Sequence, residues 1–130
     1  MNTPTVRTSQ FTLEPDLGWT KRGTKLLHTA LTGRCDIHDH DILDRVEACV
    51  LTLAHASVEE RGGNMTIGLI RDERILRVEL ADNRHSRAEP TMPQAVDEKA
   101  DKYGWELLSP RGARVWCVFV VDAPDGPVIA

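Results

Sequence analysis

From Asp39 to Ser57 the apolar residues Ile42, Leu43, Val46, Cys49, Val50 and Leu53 recur at spacings of three and four. That period puts them on one side of an α-helix. A helix with such a stripe is stable only against another apolar surface, so the chain has to supply one. The next two segments change period. "NMTIGLIR" sets Met65, Ile67 and Leu69 on one face, and "ILRVELAD" sets Leu76, Val78 and Leu80 inward with Arg77 and Glu79 outward. Joined by "DER", they read as an antiparallel hairpin with one wet face.

Around this centre the chain reads as short elements. "QFTLEP" is a strand stopped by Pro15. Asp16 to about Thr32 reads as a helix carrying Leu17, Leu26, Leu27, Ala30 and Leu31, weakened by Gly18 and Gly23 and closed by Gly33. Residues 83–94 are polar and proline-bearing, hence loop. "AVDEKADKYG" reads as a short helix ended by Gly104. "WELLS" and "ARVWCVFVVD" read as strands, the second apolar on both faces and therefore central. Helices, a hairpin, a helix and another hairpin imply an α+β fold. The expected architecture is a two-layer α/β sandwich, its sheet mostly antiparallel and its helices on one face. Residues 1–10 read as a flexible N-terminus, 11–123 as the domain and 124–130 as a C-terminal tail.

One hundred and thirty residues suit a single domain with its own core. No apolar run approaches the ~20 residues that cross a bilayer, and "MNTPTVRTSQ" has no signal-peptide core, so no membrane association and a cytoplasmic address are expected. A net charge of −4 speaks against direct nucleic-acid binding. Cys35, Cys49 and Cys117 show no paired spacing, and the last two lie in apolar segments, as reduced, buried thiols do. Cys35, His38 and His40 in "CDIHDHD" lack a second ligand pair at finger-like spacing, so no metal site is expected.

Within the strongest helix stand Glu47 and His55, and the following hairpin ends on Asp82. The ordered set "VEACVLTLAHA", "RVELAD", "VDEKADKYGW" and "PRGARVWCVFV" resembles the GHKL (Bergerat-fold) ATPase domain over residues 11 to 121. It is most similar to small versions related to anti-sigma factor serine kinases. The resemblance implies that Glu47 stands where the family orients water, and that Leu51 stands where an asparagine oxygen holds magnesium. His55 then matches a basic position near the phosphates and Asp82 the aspartate that accepts from the adenine amino group. Arg84 takes a small-residue position beside the base, and Arg114 replaces a threonine of the last strand pair. Residues 88 to 96 correspond to the lid, here without glycine and with Pro90 and Pro93.

Leucine cannot ligate a cation that demands oxygen, and prolines withhold the N–H donors of an anion nest. The resemblance with these departures implies a degenerate, non-catalytic regulator without a bound cofactor. It would bind a sigma factor or other transcription regulator, answer to an antagonist protein and form a homodimer, as related anti-sigma proteins do. The partner surface would be the helical layer, residues 16 to 32 and the exposed side of 39 to 57. The alternative is a switch or serine protein kinase that still holds ATP and magnesium. Plainer readings stand beside these: Glu47 at the wet edge of its helix, His55 answering the helix dipole, and Asp82 ending a strand before a turn. Trp19, Trp105 and Trp116 read as core or interface aromatics.

Overall fold

The computed structural model describes residues 6–83, 90 and 92–121. Its elements are β1 (Arg7–Leu13), α1 (Trp19–Thr29), a π-helical turn (Ala30–Arg34), α2 (His40–Glu59), β2 (Met65–Arg71), β3 (Ile75–Asp82), α3 (Gln94–Lys99), β4 (Lys102–Leu107) and β5 (Ala113–Val120). The sheet has five strands in the order β1-β2-β3-β5-β4. Every neighbouring pair is antiparallel. This is the expected α+β class: an antiparallel sheet with the helices packed on it as a second layer.

The two periods of the sequence meet at the layer interface. Alternate residues of β2 (Met65, Ile67, Leu69), β3 (Leu76, Val78, Leu80) and β5 (Val115, Cys117, Phe119) are buried together with Val46, Cys49, Val50, Leu53 and Ala54 of α2. Fully burying a side chain of this size is worth roughly 1.5–3 kcal/mol, so this contact outweighs local propensity at any one position. Asp39 starts α2, its carboxylate accepting from the N–H groups of Asp41 at 2.9 Å and Ile42 at 3.2 Å. No helix among the described residues is long and apolar enough to cross a membrane.

Several boundaries differ from those read off the sequence. β1 begins at Arg7 and pairs with β2 from there, so residues 7–10, expected to be loose, belong to the sheet. The first helix starts at Trp19 because Gly18, at φ 84°, is in the left-handed region. It continues through the π-helical turn past Gly33. Gly23 does not weaken α1 so much as seat it: a Cβ there would lie 2.9 Å from Leu13 Cδ2. The third helix stops at Lys99, five residues before Gly104, because Ala100 is already extended at φ −86°, ψ 142°. Gly104 is a strand residue opposite Trp116. β5 is interior, between β3 and β4, but among the described residues only one of its faces is covered. On the other, Trp116 and Val118 are half-buried and Val120 is 57% exposed.

That open face has its own order. The Arg77 guanidinium stands 5.0 Å from the Trp116 ring, and the ring itself fills the space a side chain would take at position 104. A Cβ on Gly104 would come within 2.2 Å of Trp116 Cζ2, whereas one on Gly68 of β2 would meet nothing within 4 Å. Gly104→Ala is therefore expected to lower the unfolding free energy by about 1–3 kcal/mol through displacement of Trp116. Gly68→Ala should stay within about 0.5 kcal/mol of the parent. Urea denaturation followed by tryptophan fluorescence reads both.

Candidate functional site

Among the described residues, and the three buried cysteine thiols apart, Ser57 and Asp82 are the two buried side chains that carry polar or charged groups. They meet. Asp82 ends β3 on the inward parity shared by Leu76, Val78 and Leu80, and is 3% exposed. Ser57 is the last residue of the core stripe of α2. Its hydroxyl donates to Asp82 Oδ2 at 2.6 Å, the short distance of a bond to a charged acceptor. Glycines make the approach feasible. A Cβ on Gly62 would lie 2.4 Å from Ser57 Oγ and 2.8 Å from Asp82 Oδ2, and one on Gly112 (φ +109°) would lie 2.4 Å from the Asp82 carbonyl oxygen. Backbone bonds close the corner: Gly62 N–H donates to Ser57 O and Asn83 N–H to Gly62 O, each at 2.8 Å. The carboxylate thus ties the end of α2 to the end of β3, while backbone bonds bring in the chain leading into β2 and the β4–β5 turn packs on the Asp82 backbone.

Glu47, Leu51 and His55 run along one flank of α2, four residues apart. Glu47 is half-buried and makes no ion pair among the described residues. His55 is exposed, its Nε2 3.2 Å from Glu59 Oε1 and its ring centroid 6.2 Å from that of Trp19. Leu51 is half-buried. It lines a groove of about 310 Å³ with Trp19, Thr20, Thr52 and His55. The reason is rotational: Leu51 lies about 120° around the helix from Ser57, so it faces α1 while Ser57 faces the sheet. Neither Glu47 nor Asp82 lines that groove.

The last strand pair separates two further candidates. Asp82 is opposite Ala113 and Ala81 opposite Arg114, so Asp82 points into the layers and Arg114 out of the open face. There Arg114 Nη1 bonds Glu106 Oε1 at 2.7 Å, with Glu79 Oε2 4.0 Å from its Nε. Arg114 and Asp82 therefore lie on opposite faces of the sheet. The side chain nearest Asp82 across the ladder is the methyl of Ala113. Arg84 lies outside the described residues, as do 88, 89 and 91 of the expected lid, residues 88 to 96. Of the remainder, Pro90 is buried and Gln94–Val96 already belong to α3.

In "CDIHDHD", Cys35 is buried while His38 and His40 are exposed. His38 Nε2 is 2.8 Å from Asp36 Oδ1. That bond to the imidazole holds the Asp36 carboxyl below its ordinary range. No group of three or more His, Cys, Asp or Glu able to hold a metal ion occurs among the described residues.

Sequence reasoning missed Ser57, Gly62, Gly112 and Ala113. A signal existed for the first: Ser57 continues the stripe of Val46, Val50 and Leu53, where a hydroxyl needs a buried partner. The others depend on strand register, which no local pattern states. No protein-family model matches the chain, and no curated protein does either.

The corner makes a direct expectation. Ser57→Ala leaves a buried carboxylate with one donor fewer and should cost about 1–3 kcal/mol of stability. Glu47→Ala, on the half-exposed flank, should stay within about 0.5 kcal/mol. Equal midpoints for the two variants in chemical denaturation would refute this.

Proposed function

We propose that the chain is a non-catalytic regulatory protein of the anti-sigma-factor-like GHKL type, acting by binding a sigma factor or another transcription regulator. The observation that carries this reading is the place of Leu51. One turn from Glu47, where phosphate chemistry of this kind requires an oxygen for magnesium, the chain presents a leucine in an apolar groove with Trp19. Hard divalent cations take oxygen ligands, whereas a groove of this lining takes a side chain from another protein. Two further features support it. Asp82 already accepts a hydroxyl through one carboxylate oxygen, and Arg114 stands on the far face of the sheet. The surface offered to the partner is the exposed side of α1 and α2 around Trp19, Leu51 and His55, where Leu17 is 99% exposed.

A kinase or ATP-driven switch is the reading this one displaces, and turnover separates them. Phosphate release from ATP and phosphate transfer to serine should both match a Glu47→Ala control. Turnover above that control overturns the proposal. Because Leu51 is half-exposed, Leu51→Asn leaves its amide wet and should cost no more than about 1 kcal/mol. It should also bring no magnesium-dependent gain in ATP affinity. Against a sigma factor that binds the chain, Leu17→Asp, at a fully exposed position, should weaken binding at least tenfold with little change in melting temperature. Undiminished binding would move the partner surface elsewhere.

A further inference from the structure

The two outer strands of the sheet are β1 and β4, and their edges differ. Beside β4, Pro90 and Met92 share a cavity with Tyr103 and Trp105, and the strand itself carries Lys102 and Glu106. β1 has no such cover among the described residues. It pairs with β2 without a break, from Arg7 opposite Arg71 to Leu13 opposite Met65. An antiparallel ladder uses the N–H and C=O groups of alternate residues, so the others point out of the sheet. No loop or side chain among the described residues bonds them. An edge is ordinarily protected by proline, lysine, a bulge or an inward charge, and from Thr8 to Leu13 the strand has none of these. A cavity of about 490 Å³ runs from this edge onto the open face, between Thr8 and Gln10 of β1 and Glu79 of β3. Gly68 lies within it, where a Cβ would meet nothing within 4 Å. Arg34, of the π-helical turn, stands at the same cavity. It is exposed and makes no ion pair among the described residues. Its charged neighbours are already engaged: Arg7 lies 3.9 Å from Asp36 Oδ2, Arg71 donates to the carbonyls of Cys35 and Asp36, and Glu79 Oε1 accepts from Arg77 at 2.7 Å.

We propose that β1 is a docking edge for an extended acidic peptide of a partner protein, which adds to the sheet as a sixth strand and pairs a carboxylate with Arg34. The β1 backbone supplies hydrogen bonds whatever the peptide's sequence, and the cavity supplies the selection. Side chains of an added strand alternate between the two faces. On the open face one of them enters the space over Gly68, and a glycine inside a strand marks such a close approach. Arg34 selects a carboxylate because a guanidinium holds one through two parallel N–H bonds. A second copy of the chain fits this edge less well. Its β1 offers "RTSQFTL", which has no carboxylate and whose single charge, on Arg7, has the same sign as Arg34. The inference goes beyond the proposed function and does not depend on it, since the cavity and the groove of Trp19 and Leu51 share no residue.

The test is selection on the full chain from a displayed library of random peptides about as long as β1. Enriched sequences should carry Asp or Glu together with apolar residues at alternate positions. A synthetic peptide of the enriched sequence should slow amide exchange in residues 7–13 and leave α1 and α2 unchanged. Methylating one alternate set of the peptide's backbone nitrogens should abolish binding, and methylating the other set should not, because one set alone faces the β1 edge. Arg34→Glu, at an exposed position, should weaken binding at least tenfold. Exchanging the peptide's acid for arginine should restore binding to that variant. Enrichment of no sequence, equal affinity of the parent and Arg34→Glu, slowed exchange along the α1–α2 groove in place of β1, or protection of β1 by self-association of the chain without peptide would each overturn the proposal.

Discussion

A twenty-residue helix with one apolar side has to be laid on something apolar, and that requirement organises this molecule. The inner parities of β2, β3 and β5 provide the surface, and once α2 is seated on them by Val46, Val50 and Leu53 its rotation is settled. Settled with it is the direction of every other residue on the helix. Ser57 turns down to the sheet and meets the end of β3, while Leu51 and His55 turn towards α1 and form a groove with Trp19. Chemistry available at each place is therefore a consequence of packing. No residue is free to move between the two sites without lifting the helix.

Asp82 shows how such a placement constrains function. A buried carboxylate is costly unless donors surround it, and here the hydroxyl of Ser57 reaches it because Gly62 has no side chain in the way. The same absence at Gly112 lets the β4–β5 turn close against the Asp82 backbone. On the other side of the sheet, charge is handled in the open. Arg77 pairs with Glu79, Arg114 with Glu106, and Trp116 spans the gap over Gly104. These pairs at the open face are individually worth little, whereas the buried bond from Ser57 to Asp82 ties the end of α2 to the end of β3.

Much of this was legible in the amino-acid sequence. The threefold and fourfold spacing in α2 and the alternation in β2 and β3 are long and consistent, and the elements fall where those periods place them. Legibility failed where period and composition parted company. "DEKADKYG" has helix-forming composition, yet from Lys102 onward the chain is held as an edge strand by pairing with β5. Gly104 then serves Trp116 rather than a helix end. Arg7 to Gln10 contain no alternation of apolar residues, and only the partner strand β2 reveals them as β1. The candidate site was partly readable: Asp82 at a strand end and the spaced stripe of Glu47, Leu51 and His55 follow from the sequence. Its depth and company do not. The face taken by Arg114, the methyl of Ala113 opposite Asp82 and the rotation that separates Leu51 from Ser57 are set by register and layer packing, which act between residues far apart in the chain.

Whether the corner at Asp82 and the flank of Glu47 serve a nucleotide is settled most directly by calorimetric titration of the full chain with ATP and magnesium. The expected result is a flat isotherm up to millimolar nucleotide, with or without the metal. Saturable binding in the micromolar range that is lost on removing magnesium would contradict the proposal that this chain regulates by protein contact alone.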